Sequence, residues 1–151
     1  MRAVCNTAVL IALERIGRLE LLEVLFDDVV VPDAVAREYG EGLPRWVRRV
    51  AVGDRRLVEM LREVLHVGEA EAIALALEVD ADVVLLDDKR ARLAARRLGL
   101  RLLGTVGVLV LAKKRGLITS LEDALRQLVE RSFWLSRDVV DEALERAKKN
   151  C

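Results

Sequence analysis

The side chains of this sequence that could do chemistry are mostly carboxylates, and they recur at places where a chain turns. Asn6-Thr7 follow the first apolar run. Glu38 lies near the end of a short helical stretch after the second run. Glu69 and Glu71 open an Ala- and Leu-rich stretch, and Asp87-Asp88 follow the apolar run 82–86. Carboxylates gathered at one point repel and raise one another's pKa values. A hard divalent cation relieves that repulsion. Mg²⁺ or Mn²⁺ takes oxygen ligands, usually one or two carboxylates plus water. Such an ion can activate water and stabilise the charge that develops in phosphodiester cleavage.

Plainer roles compete with that chemistry. Acidic residues suit a first helical turn, so Glu69 and Glu71 need no function. Asp88 can cap its helix, and Thr7 can cap the helix it precedes. Thr7 could equally hydrogen-bond a carboxylate, a metal-bound water or a phosphate. Glu38 has no such excuse, because a carboxylate near a helix C-terminus is unfavourable by typically ~0.3–1 kcal/mol. Asp87 and Asp88 are adjacent like charges at the end of a buried strand, which also favours a cation.

Other chemistries find little support. His66 is the one histidine and has no partner nucleophile, so a histidine-based triad is excluded. There is no glycine-rich phosphate loop. Cys5 and Cys151 have no metal-type spacing, and a bridge between them is not expected, which points to a reducing cytoplasm. Trp46, Phe133 and Trp134 are expected to be packing anchors, since aromatics make up 3% of the chain. Lys89, Arg90, Arg92, Arg96, Arg97 and Arg101 follow the third strand. With Ala91, Ala94, Ala95 and Leu98 as the inward face, they should point outward, as a solvated face or a track for a nucleic-acid backbone. Arg90 and Lys89 are the substrate candidates nearest the acids, and Arg90 could orient a carboxylate or meet a phosphate. The net charge is zero, so any basic patch must be local.

The elements that must position these residues alternate in period. Short apolar strands are predicted at 3–5, 28–31, 82–86 and 100–103. Helices are predicted at 8–15, 19–26, 34–39, 54–65, 69–78, 88–98 and 105–115. The stretch 46–52 reads as a short strand or a connecting turn. Two amphipathic helices follow, at 121–131 and 137–149, and should pack on the domain or on a second subunit. Strands alternating with helices imply a parallel sheet covered on both faces. Ligands of such sheets bind beyond the strands' carboxyl ends, where strand order reverses. The acidic residues fall there.

At 151 residues with 53% hydrophobic and 33% charged residues, the chain reads as a single globular domain over 1–151, with the amphipathic helices at about 120–150 packed on it. The longest apolar runs, such as 106–112, fall short of the ~20 residues of a spanning helix, and no signal peptide is visible. Dense charge with scarce Asn and Gln fits a thermophilic source, and an Arg-rich, GC-rich genome would produce part of the same bias.

The ordered series "VCNTAVLIALERIGRLELLEVLF", "VVVPDAVAREY", "GEAEAIALALE", "ADVVLLDDKRARLAARRLGL" and "GTVGVLVLAKKRGLI", closing with "FWLSRDVVDEALERA", resembles the PIN-domain superfamily. Within it the series is similar to the small prokaryotic branch related to VapC-type toxin ribonucleases. The resemblance implies a three-layer α/β/α fold with a central parallel sheet of four to five strands. It also implies Mg²⁺- or Mn²⁺-dependent cleavage of RNA, an antitoxin partner and a homodimer. The family's four acidic positions correspond to Asn6, Glu38, Glu71 (with Glu69 close by) and Asp87 (with Asp88 as neighbour). Glu38, Glu71, Asp87 and Asp88 are the expected metal ligands. Asn6 departs from the pattern, since an amide keeps an oxygen acceptor but loses the charge. Weak metal binding and low or absent cleavage are therefore expected. An inactivating Asp-to-Asn change and a natural loss of activity both account for it. The alternative is a catalytically silent PIN fold that binds RNA or a protein. A phosphoryl-transfer enzyme is disfavoured, because it would want an aspartate where Asn6 stands.

Overall fold

A computed structural model of the chain describes residues 1–131 and 133–148. Cys151 and Lys149, the predicted end of the last helix, lie outside the described residues. The strands are β1 (Arg2–Cys5), β2 (Asp28–Val31), β3 (Val47–Arg49), β4 (Val83–Leu85) and β5 (Leu102–Leu103). All pair in parallel, in the order β3-β2-β1-β4-β5. The helices are α1 (Thr7–Arg15), α2 (Leu21–Leu25), α3 (Asp33–Tyr39), α4 (Arg55–Leu61), α5 (Val67–Glu78), α6 (Lys89–Arg97), α7 (Thr105–Lys114), α8 (Leu121–Glu130) and α9 (Arg137–Lys148). No helix among the described residues is long and apolar enough to cross a membrane.

Strand residues alternate between two cores. Ala3, Cys5, Val29, Val31, Val83 and Leu85 face one, shared with α1, α2, α7, α8 and α9. Val4, Val30, Val84 and Leu86 face the other, under α4, α5 and α6. Both faces are covered, so the central strands run as continuous apolar stretches, 3–5, 29–31 and 83–85, rather than alternating. The result is the expected three-layer α/β/α fold.

The stretch 46–52 contains β3, which pairs with β2 through Val29↔Val47 and Val31↔Arg49. It is an edge strand, and its exposed Arg48 and Arg49 guard the edge. The C-terminal helices pack on the chain itself, with Ala143 and Ala147 of α9 buried and α9 lying against α7 and α8.

Other expectations change in detail. Asn6, not Thr7, is the N-cap residue of α1, and Thr7 is its first helical residue. Pro32 precedes the first helical residue of α3 as its extended N-cap. Trp46 and Phe133 pack against the core, but Trp134 is 80% exposed and anchors nothing. On α6, Ala91 and Ala95 are buried, Leu98 is exposed and Arg92 is half-buried. The inward face of α6 is thus rotated toward Arg92, away from Leu98.

Asp28 ties three strands together at the amino end of the sheet. Its carboxylate accepts from Arg2 Nε of β1 at 2.8 Å and from Arg48 Nη2 of β3 at 2.9 Å. The hydrogen bond from Arg48 is the main cause holding its pKa below the ordinary value; Arg2 adds to this, and burial opposes it. A depressed carboxylate stabilises the fold above its unfolded pKa of ~3.9 and loses that contribution as pH falls through the folded value. Asp28→Asn is expected to lose about 0.5–1 kcal/mol at pH 7, because the pair is partly solvated. Urea unfolding at pH 7 and in acid should show the gap between the two proteins closing below about pH 4.

Candidate functional site

Strand order reverses beside β1: β2 and β3 extend the sheet on one side of it, β4 and β5 on the other. The carboxyl ends of β1 and β4 therefore mark the ligand position of an open parallel sheet. Asn6 and Asp87 sit at those ends. Asn6 is 6% exposed, and its backbone N–H donates to Leu85 O at 3.1 Å, locking it to the end of β4. The Asn6 side chain makes no capping bond, although the backbone places it at the N-cap of α1. Thr7 Oγ1 is buried with no hydrogen-bond partner among the described residues.

Gly68, in the first turn of α5, brings α3 and β1 together. A Cβ there would overlap the Glu38 carboxylate and stand 3.5 Å from Asn6 Oδ1. Only a glycine lets α5 approach so closely. Glu38, though on the exposed side of α3, thus leans toward Asn6 across the Gly68 backbone.

Glu69 joins this group. It is 9% exposed, and Oε1 accepts from His66 N–H at 3.2 Å. Its pKa is raised first by burial, then by the charges of Asp88 and Glu38, against the opposing His66 hydrogen bond. Glu38, Glu69 and Asp88 are therefore electrostatic neighbours. Asp88 also caps α6, with Oδ1 accepting from Ala91 N–H at 3.0 Å.

Asp87 is held differently. Oδ1 accepts from Thr105 N–H at 2.7 Å, and Oδ2 from Thr105 Oγ1 at 2.6 Å. Thr105 is fully buried at the start of α7. Gly104 makes room for this clasp, since a Cβ there would stand 2.7 Å from Asp87 Oδ1 and 3.2 Å from Arg92 Nη1. Beneath, burial pushes the Cys5 thiol well above the ordinary thiol range, and the Asp87 charge adds to the effect.

Glu71 points elsewhere. It is 3% exposed, and both oxygens are engaged. Oε1 accepts from Ala34 N–H at the start of α3 at 2.9 Å, and Oε2 pairs with Arg55 Nη1 at 3.0 Å. It staples α5 to α3 and α4. Lys89 borders a groove beside Asp87, and Arg90 is exposed without a hydrogen-bond or ion-pair partner among the described residues. Sequence reasoning missed the roles of Gly68, Gly104 and Thr105, and it placed Arg92 on an outward face although Arg92 is half-buried beside Asp87. The one available signal was the position of Gly-Thr after β5, which mirrors the placement of Asn-Thr after β1.

The donor set fits a water-rich divalent ion better than a protein cage. Among the described residues no three His, Cys, Asp or Glu side chains gather as a ready metal cage. What converges is an amide oxygen and the Glu38 carboxylate, with the charges of Glu69 and Asp88 beside them. Mg²⁺ needs little more, because it keeps several of its waters.

A three-layer parallel fold with carboxylates at its switch point defines an α/β domain with a ligand site at the carboxyl ends of its strands. A PIN-domain family model matches residues 2–149, and this chain belongs to that family. The fold is accordingly of nuclease type, and divalent cations are the family's usual cofactor. No curated protein and no solved structure matches the chain.

Glu71→Ala is expected to cost about 1–3 kcal/mol, because it strips the Ala34 N–H of its buried acceptor; urea unfolding measures this. Gly68→Ala is expected to change stability by less than ~1 kcal/mol, since helix propensity offsets the crowding. It should nonetheless push Glu38 off Asn6. Calorimetric titration with Mn²⁺ should then read weaker binding at an unchanged melting temperature.

Proposed function

We propose that this chain is a PIN-type endoribonuclease, folded as one domain, in which water attacks a phosphodiester with the help of Mg²⁺ or Mn²⁺. The observation that carries this is the convergence of Asn6 and Glu38 over Gly68 at the switch point. When bound, the ion supplies charge neutralisation and an activated water. Asn6 and Glu38 would hold it, with Glu69 and Asp88 contributing charge from the first turns of α5 and α6.

The remaining roles belong to the chain's own groups. Asp87, pinned by both Thr105 hydrogen bonds, is held in one orientation beside the switch point. Thr7 Oγ1 is buried and lacks a protein partner among the described residues, so a buried water is the partner it would take. Lys89 and Arg90, at the start of α6, neutralise substrate phosphates. Glu71 acts as a positioning residue through α3, the helix that carries Glu38. Asn6 supplies an oxygen without charge, so cation affinity and cleavage are low in this chain.

A second reading, a catalytically silent RNA-binding PIN fold, is favoured by one observation: both oxygens of Asp87 are already hydrogen-bonded. The variant Asn6→Asp separates the two. Assayed on structured RNA with Mn²⁺, it is expected to cleave at least about ten-fold faster than the parent, and chelator should abolish the activity. A ten-fold gain corresponds to about 1.4 kcal/mol of transition-state stabilisation. Adding Glu38→Gln to Asn6→Asp should remove the gain. If neither protein cuts RNA or binds Mn²⁺, the nuclease assignment fails and the silent binding fold stands.

A further inference from the structure

A groove of about 420 Å³ opens beside Asp87, between α6, the β5–α7 corner and α9. Leu103, Val106 and Phe133 give it an apolar wall, and Lys89, Arg92 and Arg146 give it cations. Trp134 stands at its rim, 80% exposed, where a packing role would have buried it. Lys89 and Arg146 make no ion pair among the described residues, although Glu142 lines the same groove. Arg92 Nη1 is fixed by donating to Leu86 O at 2.8 Å.

These features ask for one kind of occupant. A free indole face beside two guanidiniums suits a flat ring joined to an anion. A nucleotide unit of single-stranded RNA is such a group. Unstacked bases pile on aromatic faces while cations track the phosphates. The volume lies within the ~300–1,000 Å³ of small-ligand sites, which admits a nucleotide and excludes a duplex. The groove also borders Asp87, so a strand held there runs into the switch point.

We propose that this groove is a subsite for one nucleotide of single-stranded RNA next to the cleavage position, with its base stacked on Trp134 and its phosphate held by Arg92 and Arg146. The proposal rests on the nuclease reading for its substrate class. Burial is the main cause that holds the Arg92 pKa below its ordinary value; the Arg96 charge adds to it, Asp87 opposes it, and Arg146 adds least. A phosphate there would act in the same sense as Asp87. The local basic patch also answers the zero net charge of the chain, because electrostatic binding needs the charge only where the backbone passes.

The test is fluorescence anisotropy of a short fluorescein-labelled single-stranded RNA, and of its duplex, in the presence of chelator so that cleavage plays no part. Trp134→Ala is expected to weaken single-strand binding about ten-fold or more, and Trp134→Phe to retain most of it. Arg146→Ala should weaken binding and flatten its salt dependence by roughly one phosphate contact. Trp134 and Arg146 are exposed, so these variants should keep the parent's melting temperature. In a Trp46→Phe background, the remaining indole should be quenched as RNA is added. Single-strand binding unchanged by both Trp134→Ala and Arg146→Ala would overturn the proposal. So would a preference for duplex, or a Trp134→Ala effect confined to self-association in sedimentation. The nuclease reading is judged separately by cleavage with Asn6→Asp. Cleavage there without any Trp134 effect sinks the subsite alone. A Trp134 effect without cleavage sinks the nuclease alone.

Discussion

Val4, Val30 and Val84 meet no water on one face of the sheet, and Ala3, Cys5, Val31 and Leu85 meet none on the other. That two-sided burial constrains everything else. A strand with both faces covered has no lateral room for a charged group, so polar side chains must leave at its ends. The parallel arrangement sends the carboxyl ends of β1 and β4 to the same edge. Asn6 and Asp87 are the first residues able to carry polarity there, and they become neighbours because the sheet pairs Cys5 with Leu85. The site is thus a consequence of the core.

The carboxylates at that edge are not equivalent. Glu71 and Asp87 each have both oxygens engaged by hydrogen bonds or an ion pair within the chain, and they hold α3, α5 and α7 in place. Glu38 and Glu69 retain more freedom, and Glu69 is pushed up by burial and by its neighbours. Glu71 and Asp87 thus do structural work in this chain. The two glycines that permit the arrangement, Gly68 and Gly104, are as decisive as the acids, since a Cβ at either would displace a carboxylate.

The distribution of positive charge follows the same logic. The chain has 25 basic and 25 acidic residues, and Lys89, Arg90 and Arg146 make no ion pair among the described residues. Arg2, Arg48, Arg49 and Arg55 spend their charge on the sheet and helix ends. Lys89 and Arg146 do not, and with Arg92 they line the groove rimmed by Trp134. Three cations thus meet in one groove of a chain whose net charge is zero.

The sequence by itself determined the alternation of strands and helices, the parallel sheet and the edge where polar residues emerge. Apolar runs of four or five residues broken by Gly and Pro admit few other structures. It also marked Asn6 and Asp87 as residues of the strand ends and Glu38 as a residue near a helix end. It left 46–52 open because β3 is short and half-exposed, and an edge strand carries little apolar signal. Only the tertiary structure shows where Glu69 and Glu71 point. Residues two apart on a helix point roughly 200° away from each other, so the rotation of α5 against β1 and α3 sends one toward Glu38 and buries the other against Arg55. The same holds for Arg92 and Trp134, whose roles depend on how α6 and α9 pack beside Asp87. Periodicity records which face of a helix is apolar, but which neighbour a polar side chain meets is set by packing between elements far apart in the chain.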